Sequence, residues 1–87
     1  MFDVELDKQP SKFLRQCDKI LFERFSEKID NLVINPIPSD AIRIKGSDLL
    51  WRVRVGDYRM IYYIRYELQR IIISKIAHRS NVYDRLE

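Results

Sequence analysis

Between Leu50 and Ile64, two β-rich runs, Trp51-Arg52-Val53-Arg54-Val55 and Tyr58-Arg59-Met60-Ile61-Tyr62-Tyr63-Ile64, flank the pair Gly56-Asp57. A two-residue loop with glycine first signals a type II′ hairpin turn, whose twist suits the strands it joins. That turn leaves little freedom. It sets Val55 opposite Tyr58, Arg54 opposite Arg59, Val53 opposite Met60, Arg52 opposite Ile61 and Trp51 opposite Tyr62. Side chains alternate faces along a strand. Trp51, Val53, Val55, Tyr58, Met60 and Tyr62 therefore share an apolar face, and Arg52, Arg54 and Arg59 share the other.

The rest of the chain supplies something for the apolar face to pack on. Phe2, Val4 and Leu6 alternate with acidic residues, so residues 2–6 read as a half-buried strand. Pro10 suits the start of a helix over residues 10–17, since the first turn does not need its missing N–H. Asp18 can cap a second helix. There Leu21, Phe22, Phe25, Ile29, Leu32 and Val33 form one apolar stripe, with Phe22 and Phe25 both expected in the core, and Asn35-Pro36 ends it. Residues 35–41 read as a loop, 42–44 as a short strand and 45–48 as a turn. A further strand runs from about Arg70 to Ala77; its triple isoleucine fits a central position but leaves the register open. The tail, residues 77–87, reads as partly helical. The fold class is α+β: a strand and a helical hairpin packed on a small, antiparallel-rich, twisted sheet.

At 87 residues, with no repeat or low-complexity tract, residues 1–87 read as one domain. The single cysteine, Cys17, cannot form an intrachain disulfide and reads as packing. The first residues show no signal-peptide pattern, and no apolar run approaches the roughly 20 residues of a membrane span. The cytoplasm is the expected location, with no membrane association. Charge is divided unevenly: residues 1–40 sum to −2 and residues 41–87 to +5. The basic half points to a polyanionic partner, nucleic acid or acidic protein. Arginine, whose fork matches phosphate oxygens, accounts for ten of the sixteen cations.

Like charges directly opposite in a sheet destabilise it. The Arg54–Arg59 pair thus reads either as two solvated charges splayed in water or as a site where an anion, phosphate above all, offsets the repulsion. With one His, one Cys and two glycines, the sequence has neither a metal-ligand set nor a glycine-rich phosphate loop, and no cofactor is expected. A metal-free ribonuclease needs less: a ribose 2′-hydroxyl attacks its own phosphate if a base takes the proton and cations hold the developing charge. Arginines suit the second task but stay protonated and suit the first poorly. His78, the one histidine and so the one side chain of the type that suits proton transfer near neutrality, and after it Tyr83 are the acid–base candidates, although a lone histidine more often makes a structural hydrogen bond.

The stretch from Lys45 to Tyr62, with its core Trp51-Arg52-Val53-Arg54-Val55-Gly56-Asp57-Tyr58-Arg59, and the ending His78-Arg79-Ser80-Asn81-Val82-Tyr83 closely resemble the signature of the RelE/ParE toxin superfamily. The resemblance covers nearly the whole chain and is nearest to the RelE-like messenger-RNA interferases. It implies a ribosome-dependent endoribonuclease that cleaves mRNA in the decoding site, with the ribosome and mRNA as partners and a cognate RelB-like antitoxin as inhibitor. The site it implies comprises Arg52 and Arg54 as the basic pair, Arg59 after the turn, Arg79 or His78 as the C-terminal basic residue, and Tyr83. One departure stands out: the basic pair is often lysine in the best-known branch and is arginine here, which leaves the identity of the base open. A ParE-like inhibitor of DNA gyrase, sharing the fold without the nuclease cluster, is the alternative. A plain nucleic-acid-binding module fits less well, because Trp51, Tyr58 and Tyr62 fall on the apolar face and leave the basic face without a stacking platform.

Overall fold

A computed structural model describes residues 1–80. The elements in order are β1 (Asp3–Leu6), α1 (Lys8–Gln16), α2 (Lys19–Ile34), β2 (Ile42–Arg43), β3 (Trp51–Val55), β4 (Tyr58–Arg65), a 3-10 turn (Tyr66–Leu68) and β5 (Arg70–His78). The strands form one sheet ordered β1-β5-β4-β3-β2. All neighbours are antiparallel except β1, which pairs with β5 in parallel. This is the expected α+β architecture. The expected partly helical tail lies outside the described residues from position 81 on.

The β3–β4 hairpin has the expected register in all five pairs. Gly56 supplies the positive φ, +59°, and Asp57 is not in the positive-φ region, as a type II′ turn requires. Val53, Val55, Met60 and Tyr62 are buried against Leu14 of α1 and Phe25 and Leu32 of α2, with Trp51 and Tyr58 at the margin. Edge-to-face ring contacts link Phe13, Phe25 and Tyr58 at centroid distances of 5.3–6.0 Å.

Among the differences from expectation are two boundaries and one side-chain placement. α1 starts at Lys8 with Asp7 at its N-cap, so Pro10 is the third helical residue rather than the first. The reason is permissive: no N–H in the first turn has an intrahelical partner, so proline fits anywhere there. The strand expected at 42–44 is only Ile42–Arg43. Ile44 instead packs with Ile61, flanked by Leu50 and Ala77, in a small second cluster on the arginine side of the sheet. In α2, Asp18 accepts a hydrogen bond from the Leu21 N–H at 2.8 Å, as a cap should, but Phe22 is 46% exposed. It lies about 100° around the helix from Leu21, at the edge of a stripe whose centre is the fully buried Phe25 and Leu32.

β5 is central, as its isoleucines suggest, and its register is settled by a bulge. Tyr62 pairs with Ile73, but Ile61 pairs with Lys75, which leaves Ser74 as the extra residue. Ile71, Ile73 and Ile76 then all face the main core, and Lys75 turns to the opposite face. Beyond the end of β1, the Gln9 amide stands in for a strand: it donates to Ile76 O at 2.7 Å and accepts from Ile76 N–H at 2.8 Å.

Candidate anion-binding site

Alternation places Arg52, Arg54 and Arg59 on the sheet face away from the helices, with Arg54 and Arg59 directly paired. They line a pocket of about 450 Å³ with Ser39, Asp40 and Ile42. Arg59 is the central feature. It is 7% exposed; among the described residues its Nη1 donates to Tyr58 O at 3.2 Å and it has no ion pair. Burying a charge without a counter-charge is unfavourable. A pocket that holds one, opposite a second arginine, has the charge to take an anion. Arg52 is half-buried on the same face and Arg54 is exposed.

Arg43, by contrast, is committed elsewhere. Its guanidinium lies 4.9 Å from the Trp51 ring centroid and its Nη1 donates to Asp48 O at 3.1 Å.

The other expected site residues divide. The Arg79 N–H donates to Asp57 O at 2.8 Å, which ties the end of β5 to the hairpin turn, near the Arg54–Arg59 pair; its side chain is exposed. His78 does not join the arginines. It pairs with Tyr58, on the helix side of the sheet, and its ring meets Tyr58 edge-to-face at 5.4 Å. Its Nδ1 accepts from the Ser80 N–H at 3.3 Å and contacts the Ser80 hydroxyl at 3.0 Å. The bulge at Ser74 is the cause: a regular ladder would put residue 78 on the arginine face. Tyr83 lies outside the described residues.

Asp40 was not singled out from sequence. It sits in a proline-bearing loop, and the one available signal was its position just before β2, the strand that pairs with Arg52. Its Oδ2 is 2.6 Å from Lys28 Nζ, which fastens the loop to α2. Tyr62 fastens the same loop from below, donating to Pro36 O at 2.7 Å. Burial, with smaller contributions from the charges of Asp40 and Tyr66, pushes the Tyr62 phenol well above the ordinary tyrosine value, so it stays protonated. The lining thus offers three permanent cations, one paired carboxylate and a hydroxyl. It can hold a phosphate and the charge that builds on it in a displacement. Among the described residues, no group of three His, Cys, Asp or Glu side chains is placed to hold a metal ion, and no helix is long and apolar enough to cross a membrane.

Comparison with known proteins bears on the family and the fold. The family model described as the ParE toxin of type II toxin–antitoxin systems matches residues 4–83. The Methanocaldococcus jannaschii protein named "Putative toxin RelE1" is 39% identical over 85 residues, covering 94% of each chain. The archaeal RelE–RelB complex from Pyrococcus horikoshii contains a chain that superposes with a TM-score of 0.80 at 34% identity, covering 93% of this chain and 98% of that one. The isolated Escherichia coli RelE toxin superposes equally well, TM-score 0.80, at 17% identity over 97% of this chain and 93% of that one, and so shares the fold.

Proposed function

Since the chain belongs to the RelE/ParE superfamily of type II toxin–antitoxin toxins, we propose that it is a ribosome-dependent endoribonuclease that cuts messenger RNA in the decoding site and is held inactive by a RelB-like antitoxin. One observation carries the reading: Arg59 is buried without a counter-ion among the described residues, opposite Arg54 and beside Arg52. The RelE–RelB complexes among the structural relatives support the antitoxin. Ribosomes place the action in the cytoplasm.

In this mechanism the scissile phosphate lies in the three-arginine pocket. The neighbouring ribose 2′-hydroxyl attacks phosphorus, negative charge grows on the non-bridging oxygens, and the 5′-oxygen of the next nucleotide leaves. Arg54 and Arg59 meet that charge from the two strands, preorganised by the hairpin. Arg52 and the exposed Arg79 supply further phosphate contacts, and Tyr83 is the family-matched tyrosine. His78, on the far face, acts at most by holding the end of β5. The pocket brings no strong base to the 2′-hydroxyl, so alignment of the message by the ribosome must supply much of the rate.

The test is cleavage of one message, free and ribosome-bound, by purified protein. Cuts confined to the decoding site of bound message are expected, with free single-stranded RNA left nearly intact. Efficient ribosome-free degradation would refute the mechanism. The ParE description of the matching family favours one rival, a gyrase inhibitor; intact message together with stalled DNA supercoiling would establish that instead.

A further inference from the structure

β2 covers only the Trp51–Arg52 end of β3, so no strand among the described residues pairs with the outer edge from Val53 to Val55. That bare edge has a depression on each side. One is the three-arginine pocket. The other, about 430 Å³, lies between the edge and α2 and is lined by Arg24, Glu27, Lys28, Asn31 and Arg54, among others. Both volumes suit a small-ligand site, about 300–1,000 Å³. Arg54 lines both depressions. The Lys28–Asp40 ion pair stands between them, Lys28 lining one and Asp40 the other.

With Lys28 matched by Asp40, the second depression keeps two cations, Arg24 and Arg54, against Glu27. Neither arginine has an ion pair among the described residues. Arg24 is exposed, yet it lies against the hairpin. Its guanidinium reaches from α2 to the hairpin turn, so close that a Cβ at Gly56 would stand 3.2 Å from Nη1. Cationic groups therefore run in series from Arg52 and Arg59, through Arg54, to Arg24.

We propose that Arg24 and Arg54 hold the phosphodiester next to the scissile one, so that single-stranded RNA bends round the bare edge of β3 from the arginine pocket onto α2. This rests on the nuclease reading above and extends it. Arg24 is a binding residue rather than a catalytic one. It contributes equally in the ground and transition states, so its loss raises the half-saturating concentration and leaves the maximal rate alone.

The experiment compares wild type, Arg24→Ala and Arg15→Ala, the last an exposed α1 charge outside both depressions, on message-programmed ribosomes under single-turnover conditions. Circular dichroism confirms that each is folded. The messages carry an uncharged methylphosphonate at one position at a time around the cut. Arg24→Ala is expected to raise the half-saturating concentration about 3–10-fold with the maximal rate within about twofold, the scale of one solvent-exposed hydrogen bond. One neighbouring methylphosphonate should penalise wild type by at least as much and Arg24→Ala by clearly less, the remainder being the contact of Arg54, as for partners in one interaction. Arg15→Ala should match wild type throughout. If wild type does not cut unmodified message, the nuclease reading itself falls. If wild type cuts and Arg24→Ala equals it at every position, the second site is refuted and the nuclease stands. If Arg24→Ala alters only antitoxin association, the depression serves a protein partner, and the proposal is likewise overturned.

Discussion

Arg59 costs the free fold something, because a guanidinium 7% exposed faces a second arginine across the strand pair and has no carboxylate partner among the described residues. Arg54→Thr removes that repulsion. Stability should stay the same or rise by roughly 0.2–1 kcal/mol, while single-turnover cleavage on the ribosome falls by about 10²–10³-fold, the usual loss for one group that meets transition-state charge. Melting temperature and cleavage rate measured on the same variant decide the matter; unchanged cleavage would mean that Arg54 is only a solvated charge. Tyr62 gives the opposite kind of residue, structural and neutral. Tyr62→Phe leaves the Pro36 carbonyl without its donor and should cost about 0.5–1.5 kcal/mol in urea unfolding. The pH dependence has a definite sign. Burial raises the folded phenol above its ordinary value of 10.0, so above that pH the unfolded chain sheds its proton first and the wild type loses stability. Tyr62→Phe has no such loss, and the gap between the two should narrow from pH 10 upward.

The hairpin turn and the β5 bulge, two local devices, decide which residues meet. Gly56 holds φ at +59°, and a side chain there would also crowd Arg24. Gly56→Ala should therefore cost roughly 1–3 kcal/mol, the range for a non-glycine residue held in a sparsely populated region, read as a lower thermal midpoint with the same native circular dichroism. An unchanged midpoint would mean that the turn relaxes to another type. The first device was legible in sequence. A two-residue turn fixes register by counting outward, so the sequence alone places Arg52, Arg54 and Arg59 together. The second was not legible. Ile71-Ile72-Ile73 is apolar on both faces and carries no period-two signal, so nothing local showed that Ser74 would bulge and pass Ile76 inward. His78 was grouped with the arginines by its side-chain chemistry and by resemblance, and it lies across the sheet because of that one residue. Phe22 and Asp40 escaped for related reasons. A helical stripe has soft edges, and a loop has no periodicity by which to aim a side chain.

Taken whole, the molecule is polarised in two senses: helices cover one face of the sheet, and the basic second half of the chain carries Arg52, Arg54 and Arg59 on the other. The net charge of +3 conceals a −2 half and a +5 half. A partner that must silence the arginine face has two physical routes to it. An acidic segment drawn to Arg52, Arg54 and Arg59 would be steered over long range, because charge complementarity acts mainly on the association rate. A mainly apolar partner would instead find the exposed side chains of α2, Ile20 at 72% and Phe22 at 46%, and would dissociate slowly without associating fast. Salt separates the two. Raising ionic strength from about 0.1 M to about 1 M shortens the screening length from roughly 10 Å to roughly 3 Å, too short for steering across the face of the sheet. Stopped-flow association of toxin with antitoxin should slow by about tenfold or more over that range, with a much smaller change in the dissociation rate. In Arg54→Thr, which removes one charge from the face and leaves α2 untouched, the same salt series should be shallower. An association rate flat in salt, in wild type and variant alike, would assign inhibition to the apolar face of α2 and leave the arginines to the message alone.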